Sequence, residues 1–243
     1  MALTNVVLVS QIAGYFVGLI LSLCIMVPMS MHVHEFRGHC LLFSGGEWQE
    51  TDGQFNVQWA SMAYCNYVIA IGVLLFAVCL VQIYRLSMLL YRDKDSSFFS
   101  AFLEATGCAL LCALVVCAAI IVTLGFMTWC SNITDRFPSC DVAAGQDIDK
   151  KDNISTNNFY MEIGTAQFGA WGAFATCVGL AVFSTLKLCR YHQLENIRVS
   201  MYRERQRLVN ESPPHPTSTP PLQARRAHAH AHHTTPQDIE EER

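Results

Sequence analysis

Four long apolar runs, separated by polar stretches, organise this sequence. Residues 6–31 and 60–84 carry no charged side chain, and neither do residues 105–129 and 163–186. About 20 mainly apolar residues, rising 1.5 Å each, cross the hydrocarbon layer of a membrane. The pattern predicts spans over about 6–31, 60–84, 103–129 and 163–187, with loops 32–59 and 130–162 on one side. One such run fits a buried helix of a soluble protein, but four in one chain do not. The first run has no basic start, is too long for a cleaved signal and lacks a small-x-small site, so it reads as a retained span.

Composition agrees. The chain is 52% apolar and 15% charged over 243 residues, against about 25% charged for an ordinary soluble domain. The net charge of −4 matters less than where the charges lie. Loop 85–100 and residues 187–207 after the fourth span hold nine basic residues: Arg85, Arg92, Lys94, Lys187, Arg190, Arg198, Arg203, Arg205 and Arg207. The other two loops hold four: Arg37, Arg136, Lys150 and Lys151. The excess predicts that loop 85–100, the tail and both termini are cytoplasmic. Two glycosylation sequons, at Asn132 and Asn153, fall in the opposite, outer loop, and Asn153 lies farther from the bilayer. A third, at Asn210, falls in the tail and is expected to stay bare.

Of eleven cysteines, Cys24, Cys79, Cys108, Cys112, Cys117 and Cys177 lie within spans and read as small apolar packing residues. Cys189, at the inner end of span four, is a candidate for palmitoylation. Cys40, Cys65, Cys130 and Cys140 fall on the outer side, an even number facing an oxidising compartment, which predicts two disulfides. Three connectivities are open; Cys40–Cys65 with Cys130–Cys140 ties each loop to itself and is preferred.

Span one carries Ser10, Gly14, Gly18 and Ser22 at four-residue spacing, and span four carries Gly169 and Ala173 among other small residues. Such stripes let helix backbones approach closely where lipid offers no hydrophobic drive. Polar residues inside the spans are few. Gln11, Gln82 and Gln167 lie near span ends, and Glu104 sits where a helix N-terminus favours a carboxylate. No span has an ionisable residue at its centre, which argues against a proton-coupled transporter and an intramembrane protease.

The most chemically suggestive stretch is HVHEFRGHCLLFSGGEW, residues 32–48. His34-Glu35 with His39 lacks the four-residue spacing of a zinc-protease helix: five residues turn about 140° further round. A metal site from His32, His34, His39 and Cys40 is the alternative to a structural reading. In the structural one, residues 36–43 are extended and Gly45-Gly46 makes a turn. Glu47-Trp48 then begins the return, Phe55–Trp59 alternates as a strand, and Arg37 pairs with a carboxylate such as Glu35 or a helix-end carbonyl. Both outer loops are acidic, at −3 each. Asp147, Asp149 and Asp152 lack the glycine and terminal glutamate of a calcium loop.

Five blocks then resemble the transmembrane protein 179 family: MALTN at the start, HEFRGHCLLF at 34–43, SSFFSAFL at 96–103, GFMTWC at 125–130 and AQFGAW at 166–171. The likeness runs to about residue 190. It implies a four-span membrane protein with cytoplasmic termini and cysteines at all four outer positions, and it implies no activity. More loosely, a tryptophan and cysteines in the first outer loop resemble the layout of the claudin-like superfamily.

Residues 189–209 extend span four as a basic helix with Leu194, Ile197, Met201 and Leu208 on one side, suited to anionic lipid. From Asn210 onward the composition is that of a disordered chain, with a proline-rich SPPHPTSTPP that suits cytoplasmic binding modules.

The expected fold class is an all-α membrane protein: a four-transmembrane-helix bundle (1–190), a small disulfide-tied outer cap, a juxtamembrane helix (191–209) and a disordered cytoplasmic tail (210–243). The expected function is that of a non-enzymatic accessory subunit, adaptor or membrane organiser. A channel or transporter is the first alternative, and a metal-dependent enzyme using the first outer loop the second. Expected partners are the lipid bilayer, another membrane protein and cytoplasmic binders of the tail. No cofactor and no nucleic acid is indicated.

Overall fold

In a computed structural model of the chain, residues 2–50, 55–92, 98–145 and 156–211 are described. Four helices and one two-stranded sheet make up the order α1 (Ala2–Glu35), β1 (Cys40–Trp48), β2 (Phe55–Ala60), α2 (Ala63–Arg92), α3 (Phe98–Ile133) and α4 (Phe159–Glu211). Each helix is long and apolar enough to cross a membrane. The 34 residues of α1 rise about 51 Å, well beyond the ~30 Å hydrocarbon layer. Large apolar side chains such as Val9, Ile20, Val81, Leu110, Phe168 and Val182 stay exposed on the helix surfaces. Lipid covers such residues, because a helix satisfies its own backbone and asks no water of its surroundings.

Small residues set the packing. A Cβ added at Gly14 would stand 2.9 Å from Leu180 of α4, and one at Gly18 would stand 3.0 Å from Cys79 of α2. The small-residue stripe of α1 therefore serves two neighbours. Ser22 is buried and returns its hydroxyl to the Leu19 carbonyl at 2.7 Å, while Ser10 is half-buried. Gly169 lies against Cys24 and Ile25, Gly72 against Met26 and Ile25, and Ala173 is fully buried. On the far side, Tyr67 of α2 donates to the Leu114 carbonyl of α3, and the Trp171 indole of α4 donates to Thr123 of α3. The helices thus form a ring in chain order.

The sheet covers the end of the bundle remote from the start of α1. Helix α1 continues four residues past the expected end of its span. It stops at Arg37 and Gly38, both in the left-handed region (φ 50° and 86°), with the Gly38 N–H returning to the Val33 carbonyl at 2.9 Å. A glycine in that conformation carries no Cβ penalty, which is why helices end on it. Gly45-Gly46 is not the turn that the sequence suggested. Both lie inside β1, which runs to Trp48, and the return strand is β2. The glycines meet a steric need instead: Gly46 is pressed against Asn56 and Phe55, leaving no room for a side chain. The strands pair antiparallel with a register irregularity between Cys40 and Gly45. There the Ser44 hydroxyl donates to the Cys40 carbonyl (2.6 Å) and accepts from the Ala60 N–H (2.9 Å).

Compact units divide after Arg198, at Met1–Arg198 and Val199–Arg243. In the second, residues 199–211 are helical, and Met201 and Leu208 are exposed. Leu194 and Ile197, in the first unit, are exposed as well. Residues 212–243, and with them the proline-rich and histidine-rich segments, lie outside the described residues.

Candidate functional site

Two polar assemblies stand out, one at each end of the bundle. The first lies at the end where α3 begins. Glu104 falls in the second turn of α3, and its side chain is fully buried. Its carboxylate therefore answers to other helices rather than to the first turn of its own. Gln11 Nε2 of α1 donates to it at 3.0 Å, and Ser184 Oγ of α4 lies at 3.4 Å. Lys187 Nζ of α4 is 3.4 Å away and Arg85 Nη2 of α2 is 3.6 Å away. One carboxylate thus joins all four spans. Arg85 also donates to Ser100 at 2.8 Å, linking α2 directly to the start of α3. A buried carboxylate needs this company, since an isolated charge in low dielectric is very costly. One turn deeper, the Tyr15 hydroxyl of α1 meets the Cys108 thiol of α3 at 3.4 Å.

The second assembly is the cap. Disulfides join Cys40 to Cys65, from the start of β1 to the first turn of α2, and Cys130 to Cys140, at the end of α3. Between them lies an aromatic core. Trp129 stacks on Trp59 (centroids 6.4 Å) and meets Phe55 edge-on (5.8 Å). Trp48 contacts Phe55 and Phe137, carries the Arg136 guanidinium over its ring at 5.1 Å, and donates its indole N–H to the Asn132 carbonyl at 3.1 Å. A Cβ at Gly125 would meet Leu42 at 2.8 Å, so β1 rests directly on α3. On the cap's exposed side, the Ser139 hydroxyl and then backbone N–H groups hold the Asp141 carboxyl below its usual range.

The chemically suggestive histidines do not converge. Cys40 is in a disulfide, His34 is exposed, and His39 stacks on Trp59 at 5.0 Å. His32 alone points inward. Its Nε2 accepts from the Leu41 N–H at 3.4 Å, which puts the ring proton on Nδ1, 3.8 Å from Glu162 of α4. Both Glu162 carboxylate oxygens are buried without a hydrogen-bond partner among the described residues. Arg37 is exposed, and Glu35 accepts from Asn158 of the loop before α4 instead. The expected Arg37–Glu35 pair is replaced by a contact between the two ends of the cap.

The remaining candidate residues are scattered. Asn132 is half-buried in the last turn of α3, with its amide donating to the Thr128 carbonyl at 2.8 Å. Cys189 is exposed on α4. Asn153 and the aspartates at 147, 149 and 152 lie outside the described residues. Nothing in the local spacing announces the four-helix clasp on Glu104, because its members are 80 to 93 residues apart where α3 meets α1 and α4. The one usable signal is a lone carboxylate at the edge of an apolar run, with a lysine at the matching edge of another.

No solved structure matches the chain. A family model described as "Transmembrane protein 179/179B Claudin domain" matches residues 7–209. That range takes in all four spans, the cap with both disulfides and the basic extension of α4. The chain belongs to the transmembrane protein 179/179B claudin-domain family of multi-pass membrane proteins.

Proposed function

We propose that this protein is a non-enzymatic membrane organiser or accessory subunit that binds another membrane protein through its cap. The observation that carries the reading is the construction of the cap. Two disulfides, an aromatic core and close seating on α3 hold a small sheet rigid at the membrane surface. Among the described residues β2 pairs with β1 alone, and Asn56 and Gln58 are exposed along it. An edge strand with unpaired backbone groups is a ready template for another chain. A rigid surface loses little freedom on binding, which favours recognition.

In this reading both termini are cytoplasmic and the cap faces the cell exterior or the lumen of the secretory pathway, in line with the nine-to-four excess of basic residues. The partners are the bilayer, a second membrane protein at the cap and cytoplasmic binders of the tail. The test is co-purification of the full chain from its native membrane in mild detergent. Recovery of a stoichiometric membrane protein, lost when the exposed Asn56 and Gln58 are both changed to lysine, supports the reading. A clean monomer overturns it.

A further inference from the structure

A cavity of about 480 Å3 opens within the bundle on the side of the Glu104 clasp. Its floor comes from Tyr15 of α1, Cys108 of α3 and Leu180 of α4. Its mouth lies between α2 and α3, where Leu74, Val81, Leu110 and Leu114 are exposed to the surrounding membrane. The lining is almost wholly apolar. Water does not fill such a space, since it needs two to four polar partners. Close-packed protein interiors do not leave such a gap open. The neighbouring phase is lipid, so lipid is what enters.

One polar atom narrows the choice. Gln82 lines the cavity, and its Oε1 is buried without a hydrogen-bond partner among the described residues. A buried acceptor left unpaired costs free energy, so the fitting occupant brings a donor. Phosphate and ester oxygens bring only acceptors, and a charged ammonium donor is costly in an apolar cavity, so a neutral hydroxyl fits best. Gln82 sits one helical turn from Arg85, hence at the end of the cavity nearest the Glu104 clasp and the membrane surface on that side. A donor there, with an apolar body reaching toward the bilayer midplane, is the posture of a sterol. Shape agrees. From Leu74 to Gln82 the helix rises about 12 Å, and 480 Å3 over that height gives a mean cross-section of about 40 Å2, wider than one extended acyl chain.

We propose that this cavity binds a membrane sterol, with the sterol hydroxyl donating to Gln82 Oε1. The test uses the full chain in sterol-containing membranes with a photoactivatable sterol as probe. Labelling is expected on 74–82 and 107–114, displaced by excess unlabelled sterol. Gln82→Leu keeps the volume and removes the acceptor; it should weaken labelling up to about tenfold, the weight of one hydrogen bond. Leu110→Trp narrows the mouth from an exposed position and should reduce labelling while leaving the thermal midpoint in detergent unchanged. The proposal is overturned by labelling that excess sterol does not displace, by undiminished labelling of Gln82→Leu, or by a photoactivatable phospholipid that labels the same segments and resists sterol competition. Because the cavity and the cap are separate, failure here leaves the cap reading standing.

Discussion

Glu104 of α3 and Lys187 of α4 are 83 residues apart in the chain, and their charged groups stand 3.4 Å apart in the bundle. The carboxylate is fully enclosed, while the Lys187 side chain keeps 11% of its surface exposed. Removing one partner of a buried pair strands the other, whereas replacing both with apolar groups is often nearly neutral. We predict that Glu104→Ala lowers stability by about 3 kcal/mol, read as a large fall in the thermal midpoint in detergent. Glu104→Leu combined with Lys187→Met should recover most of it. Arg85, at 38% exposed, is screened by solvent, and Arg85→Gln should cost far less. A double variant no better than Glu104→Ala would show that the clasp acts through more than this pair.

The disulfides differ in reach, and so should their loss. They close loops of 25 and 10 residues. In the chain-entropy account these closures are worth about 3.5 and about 2.7 kcal/mol. Cys40→Ser should therefore lower the midpoint more than Cys130→Ser, and both should impair delivery to the cell surface. Equal loss in the two variants would assign the effect to local packing rather than to chain closure.

His32 and His34 are two residues apart and should behave oppositely. His32 is fully buried and accepts the Leu41 N–H, while His34 is exposed. His32→Ala leaves a donor unpaired beside a cavity, a loss of about 2 kcal/mol or more. His34→Ala should stay within about 0.5 kcal/mol of the parent. Thermal unfolding of the pair decides; a damaging His34→Ala would return His34 to the list of ligands.

Glycines with and without neighbours make a further contrast. Gly125→Ala drives a methyl group into Leu42 at 2.8 Å, while a Cβ at Gly179 meets nothing within 4 Å. The first should destabilise by about 1–3 kcal/mol and loosen the cap. The second should be neutral or stabilise by about 0.5 kcal/mol, as alanine favours a helix over glycine. Proteolysis of the cap and thermal midpoints report the two effects separately.

Much of this architecture is legible in the chain. Uncharged runs of more than 20 residues fix the spans because the membrane imposes length and polarity together. The paired cysteines are legible for the same reason: the spans sort the thiols into those inside the bundle and those at one end of it. The details that escape are those where tertiary contact overrides local signal. Gly45-Gly46 reads as a turn, yet it lies in a strand paired with β2, where Asn56 and Phe55 leave Gly46 no room for a side chain. The end of α1 escapes because His32 finds its partners on β1 and α4, far along the chain. Glu104 is visible as a lone carboxylate; only the bundle reveals that Gln11, Arg85, Ser184 and Lys187 meet there.

Engagement of another membrane protein by the cap can be read directly. Its most direct test is a photo-crosslinking amino acid placed at Gln58, exposed on β2, in the full chain in its native membrane. One discrete crosslinked product of higher mass that contains a second membrane protein is expected, and its loss when the crosslinker sits instead at Val182, exposed on the lipid-facing surface of α4. Crosslinking from Gln58 that yields only unreacted monomer would contradict it.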